Sequence, residues 1–255
     1  MMLAALLTAA IAMGASAPSS MATVGPARFI ATVGKPGAEA VHVQRFLLDV
    51  DLVTRADFAA FLQARPGWRR GSAKALFVDE RYLADWPAPA SPGELVSPRA
   101  PMTHVSWFAA RAYCASKGKR LPTTNEWELA AAASTTKKDA RADPAFAAVI
   151  LGWYARPTTT TTTLPAVGSG SENAWGIRDA HGLVWEWVED YGAALVRPDA
   201  RGDDAKDVIL FCGGAGSSAV DPSDYASFMR LAFRSSLDAR FALPLLGFRC
   251  AKDFP

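Results

Sequence analysis

Thiol and imidazole groups are the side chains of this sequence that could act as nucleophiles or bind a transition metal. Three cysteines are present, Cys114, Cys212 and Cys250, together with three histidines. No CxxC pair and no Cys/His spacing of the zinc-binding kind occurs. In an oxidising compartment two of the three cysteines could pair and leave one thiol over.

The histidines do not suggest a catalytic triad. His42, His104 and His181 are scattered along the chain, and no Ser/His/Asp arrangement is arguable from their positions. We expect each of them to be a structural hydrogen-bonding residue rather than a general base.

Capping residues indicate the helices that would position these groups. A Ser or Thr hydroxyl that satisfies free backbone N–H groups stands ahead of helix-forming residues at Thr54, Ser106 and Thr123. The second helix is predicted over 107–117, and Gly118 supplies a left-handed stop. The third precedes an alanine-rich run, which has strong helix propensity.

Short apolar stretches predict strands. They lie at 27–32, 40–49, 208–212, 228–233 and 247–251. Two to three helices followed by loops and small antiparallel sheets predict an α+β domain. Six consecutive threonines at 158–163 are interpreted as an exposed loop and not as a site.

The N-terminus is typical of an export signal. Residues 1–17 carry no charge and end in Ala15-Ser16-Ala17. No Lys or Arg precedes the apolar run, so an apolar tail or a short anchor helix is the alternative. A membrane span needs roughly 20 apolar residues, more than this run provides. We therefore expect a signal peptide over 1–17 and one domain over 18–255. After removal of the signal we expect no stable membrane span and a periplasmic or secreted protein.

The overall charge argues against nucleic acid as a partner. The formal net charge is +2, from 27 basic and 25 acidic residues, and no long basic run is present.

Three segments, taken in order, carry a resemblance to a known family. They are 101–128, which begins PMTHVSW and ends NEWE; 176–190, which contains GLVWEWVED; and Gly213-Gly214 with Arg234 and the GFRC of 247–250. Together they resemble the formylglycine-generating enzyme (sulfatase-modifying factor) family. The resemblance implies a loop-rich fold related to C-type lectins.

Several of these residues also have a structural interpretation. Gly118 and Gly182 suit positive φ angles. Arg234 and Arg249 stand among apolar residues, which predicts paired guanidinium groups that hold loops together.

The oxidases of this family bind copper(I) and a substrate thiol through two cysteines in the segment after Gly213-Gly214. The corresponding segment here, 213–234, contains no cysteine, and Ser217 and Ser218 fall near the first expected position. A hydroxyl cannot replace a thiolate in either role. Copper is therefore not expected, and Cys212 is interpreted as a buried strand residue.

Other expectations follow from the resemblance. It implies a Cys114–Cys250 disulfide and a calcium loop with ligands from Asp179, Gly182, Val184 and Glu186; the alternative for the loop is a solvated turn in which Glu186 pairs with an arginine. The candidate pocket residues are Trp185, Ser217, Ser218, Asp221, Tyr225 and Arg234. Asp221 and Tyr225 could instead belong to a surface turn after Pro222.

These features favour an exported binding or accessory module whose protein or small-molecule ligand is unknown. The alternatives are an oxidase that converts protein cysteine to formylglycine and a related periplasmic oxidase of another substrate. Whether the chain is an enzyme stays open at this point.

Overall fold

The computed structural model describes residues 20–30, 39–94, 96–156, 164–192 and 225–255. Within them lie seven short strands and five α-helices. The strands are β1 (Met21–Val24), β2 (Ala27–Phe29), β3 (Val41–Val43), β4 (Phe46–Asp49), β5 (Trp185–Glu186), β6 (Leu246–Gly247) and β7 (Ala251–Asp253). The helices are α1 (Arg55–Ala64), α2 (Trp107–Ser116), α3 (Thr124–Ala131), α4 (Pro144–Tyr154) and α5 (Tyr225–Ser235).

The sheets are small and mostly antiparallel. Strands β1, β4 and β7 form a three-stranded antiparallel sheet in that order, with β4 in the centre, and β2 pairs with β3 antiparallel. The pair β5–β6 is parallel, so the expectation of antiparallel sheets alone was wrong for this pair. The α+β, loop-rich class is confirmed.

The three capped helices are confirmed as α1, α2 and α3. Thr54 and Thr123 each form a complete capping box, with Asp57 and Glu126 respectively. The hydroxyl of Ser106 accepts a hydrogen bond from the backbone N–H of Ala109. After α2, Gly118 has φ +66°, a left-handed conformation that glycine adopts without steric cost.

Two helices were not predicted. Helix α5 replaces the strand expected at 228–233, and α4 had no sequence prediction. The buried positions on α5 recur at a helical spacing; they are Ala226, Ser227, Arg230, Leu231, Arg234 and Ser235. Because most of those positions are polar, the spacing of apolar residues alone does not show the helical period of α5.

The remaining strand predictions hold in part. The stretch 40–49 divides into β3 and β4, and 247–251 divides between β6 and β7. The 27–32 strand is observed as β2, and the 208–212 prediction lies outside the described residues, as does the threonine run. No helix in the described part of the chain is long and apolar enough to cross a membrane.

The largest core cluster is built around α1 and α2. Phe58 is fully buried and contacts Tyr113 of α2 and Phe248 after β6, with ring centroids 5.9 and 6.3 Å apart. The disulfide that the resemblance implied lies in this cluster: Cys114 of α2 bonds to Cys250, and neither residue is exposed. The C-terminal segment is thereby joined covalently to α2 within the core.

The disulfide predicts how many cysteines can be alkylated and how much reduction destabilises the fold. Its loop of 136 residues corresponds to roughly 4–5 kcal/mol of unfolding free energy on the loop-entropy model. We expect alkylation of the denatured, unreduced protein to modify one cysteine per chain, and reduction to lower the urea midpoint strongly.

The Cys212→Ser variant is the matched control. It should give no alkylation before reduction and the same urea midpoint as the unaltered chain. Three reactive thiols in the unreduced, denatured chain would contradict the bridge.

Candidate functional site

A buried ionic cluster joins α3 to α5. Glu128 of α3 accepts hydrogen bonds from Arg230 (Nη2 to Oε2, 2.6 Å; Nε to Oε1, 3.2 Å) and from Arg234 (Nη1 to Oε1, 2.8 Å). All three side chains are no more than 3% exposed. We call Glu128, Arg230 and Arg234 the diarginine cluster.

Polar and aromatic groups surround the diarginine cluster. Arg230 also donates to the hydroxyl of Ser227 (2.6 Å) and to that of Tyr154 (3.0 Å). Arg234 donates to the backbone carbonyl of Glu186 (3.3 Å), and its guanidinium carbon lies 4.3 Å from the ring centroid of Trp127. These contacts fix both guanidinium groups between α3, α4 and β5.

Burial and the mutual attraction and repulsion of the three groups shift their pKa values. Burial by itself raises the pKa of Glu128, but the attraction of Arg230 and Arg234 outweighs it and lowers the pKa to about 2. The pKa of Arg234 is lowered, because burial and the repulsion of Arg230 together exceed the attraction of Glu128. Burial also lowers the pKa of Arg230, but the attraction of Glu128 outweighs it, so the net shift of the Arg230 pKa is upward.

A second buried pair lies beside β5. Both oxygens of Glu186 accept from Arg249, at 2.8 Å from Nε and 2.9 Å from Nη2, and both side chains are no more than 1% exposed. Arg249 also donates to the carbonyls of Asp49, Val50 and Arg178. The prediction that the guanidinium groups of Arg234 and Arg249 are paired is confirmed. Arg234 pairs with Glu128, and Arg249 pairs with Glu186.

The ring of Trp185 is covered by other aromatic rings. Tyr154 stacks on it with centroids 4.8 Å apart, Phe233 of α5 approaches to 4.5 Å, and Trp153 to 5.2 Å. This aromatic stack joins the end of α4 to β5 and α5. Trp185 is partly buried, and its ring packs against aromatic side chains of the chain itself.

The predicted pocket residues separate into three groups. Trp185 and Arg234 lie close together, since Arg234 bonds to the carbonyl of Glu186 and Phe233 packs on Trp185. Tyr225 starts α5 and is 52% exposed; nine residues before Arg234, it lies about 14 Å away along the helix. Ser217, Ser218 and Asp221 lie outside the described residues.

Sequence reasoning missed Glu128, Arg230 and Tyr154. Glu128 follows a capping box, where a glutamate ordinarily faces solvent, and Arg230 stood in a segment interpreted as a strand. The signal that could have found them is the spacing of Arg230 and Arg234, which places two arginines on one face of a helix.

His181 belongs to the wall of this region. Its Nε2 lies 2.8 Å from the carbonyl of Ala131, and its ring meets those of Trp127 and Phe146 edge-on. Because a carbonyl only accepts, Nε2 carries the proton and Nδ1 is left without a partner. Burial, together with repulsion by Arg230, lowers the pKa of His181 to about 3, so the ring is neutral.

Comparison with known proteins identifies the scaffold. The family model described as the sulfatase-modifying factor enzyme 1-like domain matches residues 12–254. The chain belongs to this sulfatase-modifying factor family. It is 28% identical to a formylglycine-generating enzyme of Thermomonospora curvata, over 86% of each chain. It is also 28% identical to the inactive Cα-formylglycine-generating enzyme 2 of Mus musculus, over 94% of this chain and 82% of that one.

A solved structure agrees on the fold of this family member. The crystal structure of CarF superimposes with a TM-score of 0.50 at 19% identity and covers 93% of this chain and 99% of that one. At that identity the likeness shows the fold alone.

The calcium loop implied for the family has other contacts here. Asp179 accepts from the backbone N–H groups of Gly168 and Gly170, and a Cβ on Gly170 would lie 2.5 Å from Asp179 Oδ1. Gly182 has φ +93°, as expected. Since Arg249 takes both oxygens of Glu186, the described arrangement does not fit an ion held by Asp179, Gly182, Val184 and Glu186 together. The calcium site stays a prediction of the resemblance.

A calcium titration tests that prediction. Because the two carboxylates already have partners, we expect the same melting temperature in excess calcium, in magnesium and in EGTA. A rise specific to calcium, with binding seen by calorimetry, would show that Arg249 gives up Glu186 to a metal ion and would restore the calcium loop.

The neutral state of His181 predicts a dependence of stability on pH. Its pKa is 6.5 in the unfolded reference and about 3 in the folded chain, so the unfolded state binds the extra proton between those values. The contribution of the neutral ring is complete above about pH 6.5 and is lost as the pH falls towards 3. We expect unfolding free energy to decline more steeply over this range than in His181→Gln.

The same substitution at the exposed His42 is the control, and urea titrations at successive pH values give the measurement. An NMR titration showing that His181 gains its proton near pH 6.5 would contradict the prediction.

Proposed function

We propose that this member of the sulfatase-modifying factor family is a binding or accessory module and does not form formylglycine through a copper–thiolate site. The observation that carries the proposal is the Cys114–Cys250 disulfide. Since the sequence has three cysteines, Cys212 is the one thiol that the bridge leaves. Copper(I) held by two thiolates of one chain therefore has no second ligand.

The lack of a cysteine pair also affects the reaction with a substrate thiol. A mixed disulfide requires a thiolate nucleophile, and the segment 213–234 contains no cysteine, with Ser217 and Ser218 near the first position where the family oxidases have one. Copper would supply the redox chemistry of such an oxidase, and the residues of this chain do not fit it.

The contacts around Trp185 favour a binding role over the oxidase chemistry of the family. The ring of Trp185 packs against Tyr154, Trp153 and Phe233, and Arg234 is committed to Glu128. A fixed framework with variable loops lets function move from chemistry to binding. One relative is itself named as an inactive enzyme, so the scaffold exists there without that activity.

The second candidate is an oxidase. It is favoured by the 30% identity to a formylglycine-generating enzyme of Streptomyces coelicolor, over 86% of this chain. Such an enzyme, or a periplasmic oxidase of another substrate, would have to use groups other than a cysteine pair.

We further propose that the chain is exported. The uncharged apolar N-terminus ending in Ala15-Ser16-Ala17 favours a cleaved signal. A disulfide persists in oxidising compartments such as the periplasm or the extracellular space. A periplasmic or secreted location is consistent with both features.

Copper and substrate tests decide between the two functions. The full chain is titrated with copper(I) against a chromogenic chelator and then incubated with a cysteine-containing sulfatase peptide under oxygen. We expect copper affinity equal to that of Cys212→Ser and no peptide aldehyde by hydrazide labelling and mass spectrometry, because two thiolates are lacking.

The Thermomonospora curvata enzyme in the same assay is the positive control. Aldehyde formation by this chain that disappears in Cys212→Ser or in Ser218→Ala would refute the binding-module proposal and establish the oxidase.

A further inference from the structure

A basic segment with an exposed apolar side chain follows α1. Residues 65–77 include four cationic side chains and no acidic one, although the whole chain has a formal net charge of only +2. The four cations are Arg65, Arg69, Arg70 and Lys74. We call residues 65–77 the basic loop.

These cations form no ion pair with a carboxylate in the described part of the chain. Arg69 donates through Nε to the carbonyl of Leu62 (3.1 Å). Arg70 donates to the carbonyls of Leu83 (3.2 Å) and Pro87 (3.4 Å). Arg65 and Lys74 are exposed. Because a carbonyl carries no net charge, the positive charge of the basic loop is not neutralised by these contacts.

The acidic residues that follow the basic loop do not cancel its charge either. Asp79 accepts from Nε and Nη2 of Arg81, at 2.9 and 2.6 Å, and this pair is neutral. Asp85 is paired in the same way with Arg55 of α1. Glu80 is exposed and is the one remaining acid of this stretch. The loop and the residues after it therefore keep an excess of three positive charges.

Aromatic contacts anchor the basic loop on the domain and leave Leu76 outside. The ring centroid of Phe77 lies 6.0 Å from that of Trp68 and 5.2 Å from that of Phe108 on α2. The backbone N–H of Phe77 donates to the carbonyl of Lys74 (2.8 Å), which closes a turn. Leu76 lies in this turn and is 71% exposed. An aliphatic side chain is thus presented two residues after an exposed lysine.

We propose that the basic loop binds the surface of a bilayer that contains anionic phospholipids. The excess positive charge attracts the loop to the lipid phosphates, and Leu76 enters the boundary between headgroups and acyl chains. The half-buried Trp68 is of the residue type that is enriched at this boundary. The chain is held at the surface by these contacts and does not cross the bilayer.

A lipid surface fits these features better than an acidic protein does. A folded partner would need a pocket that matches one protruding leucine, whereas a bilayer accepts this side chain at any position. Charge and apolar contact each contribute little alone, so we expect weak, reversible binding that requires both and is sensitive to salt.

This inference goes beyond the binding-module proposal and does not depend on it. The basic loop contains none of the cysteines or serines that the copper assay concerns. Failure of either experiment therefore leaves the result of the other unaffected.

The experiment compares anionic with neutral vesicles. The full chain is sedimented with vesicles of phosphatidylcholine and with vesicles of an equal mixture of phosphatidylcholine and phosphatidylglycerol, at low and at physiological salt. We expect tighter binding to the anionic vesicles, and we expect that difference to shrink as salt is added. Because residues 1–17 carry no charge, the neutral vesicles also measure what this apolar run contributes.

Two substitutions should weaken the binding to anionic vesicles for different reasons. Lys74→Glu lowers the positive charge by two and should weaken binding by about tenfold or more. Leu76→Ser keeps the charge and should weaken binding by about tenfold, because it removes the apolar contact.

Each substitution has a matched control elsewhere on the surface. Lys252→Glu makes the same charge change at an exposed lysine of β7. Val149→Ser makes the same apolar-to-polar change on α4, at a valine that is also 71% exposed. Both controls should bind nearly as tightly as the unaltered chain, and circular dichroism checks that every variant is folded.

Three results would overturn the inference. The first is equal binding to anionic and neutral vesicles. The second is a Lys74→Glu variant that binds as Lys252→Glu does, or a Leu76→Ser variant that binds as Val149→Ser does. The third is binding to poly-glutamate without binding to vesicles, which would assign the basic loop to an acidic protein partner instead.

Discussion

The carboxylate of Glu128 is the interaction on which the site region depends. It is the shared acceptor for two arginines of α5, and it lies on α3, whose start is fixed by the Thr123–Glu126 capping box. Without it, two buried cations one helical turn apart would repel each other in a medium of low dielectric. Removing one partner of such a group typically costs 3–5 kcal/mol. The docking of α5, and with it Phe233 over Trp185, follows from this ion pair.

A second ion pair gives the framework its rigidity and explains why the loops need few strands. The Arg249 guanidinium donates to Glu186 and to three carbonyls from two separate parts of the chain, at 49–50 and at 178. One side chain thus satisfies backbone groups that a larger sheet would otherwise pair. Cys250, next to it, is tied to α2 by the disulfide. The residues of the GFRC motif thus hold together β5, the end of β4 and the core cluster.

The sequence predicted the fold best where signals were local. Caps at Thr54, Ser106 and Thr123 placed three helices within a residue or two, because a capping hydroxyl acts over only three positions. Helix α5 was missed since its buried face is partly made of arginines, which hydropathy assigns to solvent. The partners of Arg234 and Arg249 come from 106 and 63 residues away, and no pattern in one sequence states such a distant pairing.

The chemistry of sulfur separates what stabilises the scaffold from what a copper site would require. A disulfide between Cys114 and Cys250 stabilises the fold whatever happens at the site, because it lies inside the core cluster. A copper site, by contrast, requires two further thiolates, and oxygen side chains do not substitute for them. Buried charged side chains also need partners of opposite charge, wherever in the fold they lie. A protein without the cysteine pair can therefore keep its bridged core and its buried ion pairs, since neither depends on the thiolates that the reaction would require.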